Sequence, residues 1–384
     1  DARAPAIQEF PKADDAGQAL LDAGRELNRP FDLGSRPLLR FGLVPAEDGD
    51  YLAIVAHHLV MDGVSWRIVL EDLGVAYAQA VKGTAASFPL RSDSYAAWAG
   101  WLRGPGAEQA GDTADAWLAI GQDRDPWPAA DGAAGSRSDA RLKAFSLDPA
   151  RTEELLTRAW KAYYAEPRDL ILAALELSLP PEAGEGSLVI DMEGHGRDVP
   201  SDQLDVSRTV GWFTSIYPVR LPRSGGQPGV AVREAKEAQR GLPPHQSWGV
   251  LKYILGHPAA QKRRSGILFN FHGEVDGSGR SGDFEVADLP LGALQSPERP
   301  LDYPLELNLI VRSGRLHCVL KYDSTRLERA VVDNMSAAFR KNLDAVIGHC
   351  LSLPEAVHTP SDFGLSGGVD SDDLAVLAKV AADL

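Results

Sequence analysis

The sequence is poor in cysteine and has no long apolar run. Its 384 residues include only Cys318 and Cys350, which lie far apart in sequence and fit free thiols in a reducing cytoplasm better than a disulfide framework. No run reaches the roughly 18 apolar residues that a membrane span needs. The opening stretch lacks the basic start and apolar core of a secretory signal. These shortages predict a cytoplasmic globular protein that does not enter the membrane.

The sequence also lacks an excess of positive charge. Lys and Arg together number 39, and Asp and Glu number 54, which gives a net charge of −15. Because a nucleic-acid-binding protein should present a basic face, the composition argues against that class. The one dense basic run, Lys262-Arg263-Arg264, is short, and we interpret it as a solvated loop rather than a binding site.

The first part of the chain shows helix and strand patterns in alternation. Helical spacing is found at 17–27 and again after the turn that follows residue 57, whereas 37–44 and 51–57 are apolar runs typical of strands. The second run is nearly continuous, as in a strand that is covered on both faces. Asp62 or Ser65 is predicted to cap the second helix.

A second segment of strands and helices follows a connection at 104–142 that is rich in Gly, Ala, Asp and Pro. We expect one short helix in this connection. Strands are predicted around 187–195, 214–221, 265–273 and 303–323, with a long helix at about 327–350 and a terminal helix at 370–384. The sequence therefore predicts an α/β fold in two parts, 1–142 and 143–384.

The stretch AHHLVMDGVSW, residues 56–66, contains the first candidate site. Neighbouring strand residues point to opposite faces, so His57 and His58 are poorly placed to share a metal ion, and no Cys or His cluster lies nearby. We therefore expect no metal. One imidazole is predicted to pack inward while the other faces a cavity, where it could be structural or serve as an acid–base group. Asp62 is interpreted as an organiser of the turn.

Two further stretches carry polar or aromatic groups at strand ends. DMEGHGRDV, residues 191–199, offers Glu193 and His195 among glycines, either as a second acid–base group or as a polar loop. RTVGWFTSIYPVRL, residues 208–221, contains several aromatic side chains and on its own predicts a core strand.

The three stretches together resemble a known family. HHLVMDGVSW, EGHGR and RTVGWFTSIYP occur in the order of the signature motifs of epimerization domains of nonribosomal peptide synthetases, which are relatives of condensation domains. The resemblance covers about 18–370. Weaker matches agree with it at 94–102, 247–254, 267–273 and 359–363. Ser65-Trp66 after the Asp-Gly pair and the EGHGR stretch resemble epimerization domains more than condensation domains.

The resemblance implies two chloramphenicol-acetyltransferase-like lobes in a V-shaped arrangement with a tunnel between them. The family's opening signature is only echoed by AIQEF at 6–10, so we expect the N-terminal lobe to be incomplete. The implied enzyme is an isomerase. It would invert the α-carbon of an L-aminoacyl or L-peptidyl thioester and so give a D-amino acid in antibiotic biosynthesis. The implied partners are a carrier protein, whose 4'-phosphopantetheine arm delivers the substrate, and adjacent adenylation and condensation domains. No bound cofactor is implied.

The resemblance also implies roles for individual residues. His58 and Glu193 would be the catalytic pair, one for each face of the α-carbon. The site would be organised by His57, Asp62, Gly63 and Arg197, with Asp62 paired to Arg197. The residues expected to face the tunnel or substrate are Ser65, Trp66, His195, Trp212, Tyr217, Asn270 and Phe271. The last of these stands where the family usually has tyrosine, so a role for that hydroxyl is not expected here.

Alternatives from other classes remain open at this level. A condensation domain that forms peptide bonds would share the fold, and a non-catalytic module could bind the carrier protein alone. The stretch SGGVDS at 366–371 matches a phosphate-binding loop of ATP pyrophosphatases, but no buried strand precedes it. We interpret it as a linker before the terminal helix.

Overall fold

The computed structural model describes residues 6–35, 37–88, 92–120, 127–130, 133–184, 186–199, 204–274, 280–281, 283–287 and 289–364. The strands are β1 Ile7–Glu9, β2 Leu39–Pro45, β3 Asp50–Ala56, β4 Ala140–Ser146, β5 Ser187–Gly194, β6 Ser215–Pro222, β7 Ile267–Glu274, β8 Arg280–Ser281, β9 Phe284–Glu285, β10 Leu305–Arg312 and β11 Arg315–Asp323. The predicted terminal helix at 370–384 and the SGGVDS stretch lie outside the described residues.

Eleven α-helices are found in the part of the chain that the structure describes. They are α1 Ala16–Leu27, α2 Gly63–Val81, α3 Tyr95–Arg103, α4 Pro105–Asp112, α5 Ala114–Ala119, α6 Pro149–Thr157, α7 Pro167–Glu176, α8 Pro228–Arg240, α9 His245–Gly249, α10 Pro258–Lys262 and α11 Arg329–Ser352. A single π-helical turn, Val250–Ile254, continues α9. Within the described ranges, no helix combines the length and apolar character that crossing a membrane would require.

The contacts between residues divide the chain into two compact units. Unit 1 comprises Asp1–Ala99, Val199–Thr214 and Gly277–Arg299, and unit 2 comprises Gly100–Asp198, Ser215–Asp276 and Pro300–Leu384. These units differ from the predicted segments 1–142 and 143–384, because each is assembled from three separate stretches. Two excursions of the later chain pack with the N-terminal residues.

The connection expected at 104–142 is more structured than its composition indicates. It contains α4 and α5, whereas a single short helix was predicted, so that expectation was wrong. Ala110 and Trp117 from these helices are completely buried in the core of unit 2, and the Trp117 Nε1 donates to the Ser247 hydroxyl at 2.7 Å. Burial of a large indole supplies a stabilisation that helix propensity in a Gly- and Asp-rich stretch does not.

Unit 1 has a small core on a three-stranded sheet. The strand order is β1-β2-β3, with β1 parallel to β2 and β2 antiparallel to β3. The register pairs Leu39 with Ala56, so β3 ends where the two histidines begin. The buried core residues, from α1, β2 and β3, are Leu20, Ala23, Leu27, Val44, Ala53 and Val55.

Unit 2 has a larger core on a six-stranded mixed sheet of order β4-β11-β10-β7-β5-β6. The central strands β10, β7 and β5 run parallel, and the outer pairs are antiparallel. β5 is therefore flanked on both sides, which fixes the direction of every side chain along it. Both Cys318 and Cys350 are free thiols, as predicted. They are buried in this unit, and burial raises the pKa of the Cys350 thiol to about 12.

Candidate active site

The two histidines of the first motif take different positions at the end of β3. The backbone at His57 is extended and begins a short 3₁₀ helix, His58–Val60. The His57 Nδ1 accepts a hydrogen bond from the Leu59 amide at 3.2 Å, and the ring contacts Phe31 edge to face with centroids 5.8 Å apart. Since its Nδ1 is engaged by the turn itself, His57 organises the local backbone.

His58 instead presents its ring to an accessible surface. The residue is exposed, and its ring lies against the indole of Trp212, with centroids 4.9 Å apart and planes inclined by 59°. Trp212 is itself 40% exposed. The structure thus separates the two imidazoles: one is tied into the turn, and the other can reach a ligand.

Asp62 and Ser65 attach the first motif to the third. Asp62 is buried and caps α2, as predicted, accepting from the Ser65 amide at 2.7 Å with one oxygen and from the Phe213 amide at 3.1 Å with the other. The Ser65 hydroxyl accepts from the Gly211 amide at 3.0 Å and donates to the Gly211 carbonyl at 2.9 Å. These bonds hold the backbone of Trp212 from both sides.

Tyr95 completes the support of Trp212, although the sequence did not single it out. Its hydroxyl donates to the Trp212 carbonyl at 2.8 Å, and its ring covers Gly211 so closely that an added Cβ would lie 2.2 Å from Tyr95 Cδ2. Burial, reinforced by the charge of Asp62, raises the pKa of Tyr95, so the hydroxyl stays protonated and able to donate. Tyr95 lies in the weaker match at 94–102, which was the available signal.

The third motif is therefore not one continuous strand. Residues 208–214 run along unit 1 without strand pairing, and β6 begins only at Ser215. Arg208 bonds to Asp72 at 2.6 Å and to Glu71 at 3.1 Å, both on α2. Side-chain contacts with α2 take the place of backbone pairing with a sheet in this stretch. The core-strand expectation for 208–214 is corrected on this ground.

Glu193 lies near the end of β5, next to β7. Its carboxylate accepts a hydrogen bond from the Asn270 side-chain amide on β7, and both residues are half-buried. The parallel pairing of Asp191 with Leu268 and of Met192 with Phe269 brings the two side chains together. An amide that donates to a carboxylate limits its rotation, so Glu193 is a carboxylate held in one orientation.

A buried ionic cluster accompanies Glu193 on the same face of β5. Asp191 precedes Glu193 by two residues, so both side chains project from that face. Asp191 is 6% exposed, bonds to the Arg263 guanidinium and accepts from the Tyr303 hydroxyl at 3.0 Å. Arg263 was interpreted as part of a solvated basic run; its side chain is only 10% exposed, so that interpretation was wrong for this residue. A buried carboxylate requires such a cation.

The remaining residues of EGHGR form a tight turn after β5. His195 is exposed, its Nδ1 accepts from the Arg197 amide at 3.1 Å, and its Nε2 lies 3.5 Å from the Asp198 carboxylate. Gly196 has φ +66°, in the left-handed region that favours glycine. The turn therefore depends on that glycine. The pairing of Asp62 with Arg197 stays a prediction.

Four other predicted site residues differ in accessibility. Tyr217 is completely buried in the core of unit 2, stacked on His245 with centroids 4.0 Å apart, so it does not line an open surface. Phe271 is half-buried and packs against the same core. Trp66 is half-buried on α2, and Gly63 is exposed with open space where a Cβ would lie. We find no steric requirement for glycine at position 63.

Within the described residues, no group of three or more His, Cys, Asp or Glu side chains is placed to hold a metal ion. Among the described side chains, Glu193 and His58 each belong to a residue type that can transfer a proton, and Asn270 can donate hydrogen bonds.

A family model described as the condensation domain matches residues 7–364. The chain therefore belongs to the condensation-domain family. Bacitracin synthase 3 of Bacillus licheniformis is 32% identical over 379 residues, which cover 96% of this chain and 6% of that protein. Tyrocidine synthase 1 of Brevibacillus parabrevis is 32% identical over 383 residues, which cover 92% of this chain and 34% of that protein. The chain thus spans a small part of these relatives.

Solved structures confirm the predicted resemblance and the mixed α/β fold. The epimerization domain from the third module of tyrocidine synthetase B superposes with a TM-score of 0.78 and 30% identity, covering 90% of this chain and 80% of that one. The first condensation domain of the CDA synthetase gives a TM-score of 0.64 at 19% identity, covering 89% and 75%, which shows the fold alone.

Proposed function

We propose that this domain is an epimerase of nonribosomal peptide synthesis. It inverts the α-carbon of an L-aminoacyl or L-peptidyl thioester carried on the phosphopantetheine arm of a carrier protein. The observation that carries the proposal is the half-buried Glu193 carboxylate, oriented by Asn270, near the end of β5 where the EGHGR motif begins. The likeness to a solved epimerization domain supports it.

Inversion needs two proton transfers on opposite faces of one carbon. One group removes the α-proton, the electron pair moves into the thioester to give an enolate, and a second group delivers a proton to the other face. We assign Glu193 to one face and His58 to the other. A positioned acid or base contributes typically about 10²–10⁴-fold to such a step. A protonated His58 could also donate a hydrogen bond to the enolate oxygen.

The residue after Asn270 limits which groups can take part. Phe271 has no hydroxyl, so it neither donates a hydrogen bond nor transfers a proton. We therefore assign a part in orienting the carboxylate to Asn270 and no hydrogen-bonding or proton-transfer role to Phe271.

A second candidate is peptide-bond formation, which the name of the matching family model favours. A condensation enzyme would join two carrier-bound substrates and would leave their α-protons in place. Under either activity the partners are carrier proteins and neighbouring adenylation and condensation domains. No resident cofactor takes part in the proposed reaction, because the thioester itself acidifies the α-proton.

One experiment separates these activities. A carrier protein loaded with an L-aminoacyl or L-peptidyl thioester is incubated with the domain in deuterated water, and the α-carbon is analysed for deuterium and chirality. Deuterium in a D product is expected. Amide product from two loaded carriers, without exchange, would replace the proposal with condensation. Carrier binding with neither product would leave a docking module.

A further inference from the structure

The segment Lys252–Arg264, between the π-helical turn and β7, exposes an apolar group beside basic side chains. Tyr253 is 77% exposed, Ile254 42% and Leu255 47%, and they are consecutive in the chain. Contiguous exposed apolar side chains are unusual on a protein surface and mark sites of interaction. Tyr253 lies on the π-helical turn Val250–Ile254, a geometry that is rare and frequent at functional sites.

Positive charge lies on the same segment as these apolar side chains. Lys252 lies 5.4 Å from the centre of the Tyr253 ring, and Lys262 and Arg264 are exposed at the end of α10 and just after it. The whole chain has a net charge of −15, so most of its surface repels an acidic partner. A basic segment that carries an exposed tyrosine is a local exception to that repulsion.

The same segment is joined to the strand that carries Glu193. Arg263 lies between Lys262 and Arg264 in sequence, and its guanidinium bonds to Asp191, two residues before Glu193 on β5. The guanidinium also lies 5.8 Å from the centre of the Trp248 ring, just before the π-helical turn. The exposed residues are thus part of one packed assembly with the strand that carries the candidate base.

We propose that Tyr253, Ile254 and Leu255, together with Lys252, Lys262 and Arg264 of the same segment, form the docking surface for the carrier protein. This inference rests on the proposed function, which requires such a partner. The surface fits a protein with an apolar face ringed by acidic groups, and the phosphate of the phosphopantetheine arm adds further negative charge. Tyrosine and arginine are among the residues that carry most of the binding energy at protein interfaces.

The test measures binding of a phosphopantetheinylated carrier domain whose arm is unloaded, by titration calorimetry. Tyr253→Ala is expected to raise Kd roughly tenfold or more, since a truncated central aromatic residue commonly has that effect. The double variant Lys262→Glu/Arg264→Glu is also expected to weaken binding, and the loss of affinity should be larger at low salt than at high salt. Because these side chains are exposed, the variants should keep the melting temperature of the wild type.

Matched controls exist on the same unit. Leu142 on β4 is 69% exposed, and Leu142→Ala removes an equally exposed apolar side chain. Arg340 and Lys341 on α11 are exposed. Like the test variant, Arg340→Glu/Lys341→Glu reverses the charge of one arginine and one lysine. Both control variants should bind the carrier as the wild type does.

The outcomes distinguish this proposal from the proposed function. Unchanged carrier affinity in Tyr253→Ala, or no binding by the wild type, overturns the docking surface even if the domain is an epimerase. A domain that binds the carrier through Tyr253 but inverts no thioester refutes the epimerase and keeps the docking surface. Sedimentation that shows a dimer abolished by Tyr253→Ala would assign the surface to a second copy of the chain instead.

Discussion

The histidine motif in unit 1 and the EGHGR motif in unit 2 are held in place by different means. His58 lies on a short 3₁₀ helix beside Trp212, whose backbone is held by side-chain hydrogen bonds from Asp62, Ser65 and Tyr95. Glu193 lies on a strand that is paired on both sides above a large core. The first arrangement depends on a few polar contacts and the second on packing and backbone pairing.

The difference matters for what a substitution can do. A change beside His58 can remove one of a few bonds and shift the ring, whereas an isosteric change of the Glu193 side chain alters its charge and leaves the pairing of β5 in place. In unit 2 we therefore expect a substitution to change either activity or stability. In unit 1 we expect a substitution to change both.

The largest expected effect is that of Glu193→Gln on inversion. Glutamine keeps the size of the side chain and can still accept from Asn270, but it removes the base, so the inversion rate should fall by about 10²–10⁴-fold. The measurement is the rate of α-carbon inversion of a carrier-bound thioester. Glu153→Gln, at an exposed position on α6, is the control and should be fully active. Full activity in Glu193→Gln would exclude the carboxylate as a base.

His58→Gln should slow inversion nearly as much as Glu193→Gln does. Deuterium exchange then distinguishes the two variants. In a two-base reaction each variant keeps one base, which can still remove and return a proton on its own face. Glu193→Gln and His58→Gln are therefore expected to retain exchange from opposite epimers, tested with L- and D-thioesters in deuterated water. Loss of exchange from both epimers in either variant would contradict the assignment of one group to each face.

Asp62→Ala tests whether the histidine motif depends on single hydrogen bonds. It removes the cap of α2 and the acceptor for the Phe213 amide, so we expect a loss of about 1–3 kcal/mol in unfolding free energy. Asp15→Ala removes the exposed cap of α1 and should cost no more than about 1 kcal/mol. Equal losses in denaturant titrations would show that the bond to Phe213 contributes nothing.

The smallest expected effect concerns a buried carboxylate of unit 2. Asp169 is completely buried, and burial raises its pKa to about 6, despite a bond from the Glu166 amide and Arg240 4.0 Å away. A raised carboxyl pKa in the folded state means that ionisation destabilises the fold as pH rises from about 4 through about 6. Asp169→Asn should therefore be stabilising at neutral pH, with an advantage that shrinks by about 1 kcal/mol from pH 8 to pH 5.

The exposed Asp112 supplies the control for that titration, since Asp112→Asn should show no such trend. Denaturant midpoints at each pH give the comparison. An advantage of Asp169→Asn that grows toward pH 5 would contradict the sign of the shift.

Local patterns in the sequence were enough to predict most elements of the fold. α1, α2 and the strands β2 and β3 were predicted from spacing alone, and the resemblance of three motifs predicted the family. α4 and α5 were underestimated, because their stability comes from burying Trp117 in a core built by distant residues. Composition does not report on such burial.

The contacts within the candidate site were harder to predict, because they join residues far apart in sequence. Arg263 was interpreted as solvated because its partner Asp191 lies 72 positions earlier, and the strand order that brings them together is not consecutive. Asn270 was expected near the substrate, but its bond to Glu193 follows only from the pairing of β5 with β7. Tyr217 was expected to face the tunnel or substrate, but it is buried in the core of unit 2. Alternation along β6 does not reveal which face of the strand packs on the core.

The excursion of residues 199–214 into unit 1 has a consequence for synthesis on the ribosome. Ser65 and Asp62 emerge first, and their partners Gly211 and Phe213 follow 146 and 151 residues later. At the usual elongation rate of about 5–20 residues per second, the nascent histidine motif waits roughly 7–30 s for those partners. Over that interval Ser65 and Asp62 lack these hydrogen-bond partners, and a pause in translation between the two motifs would prolong that state.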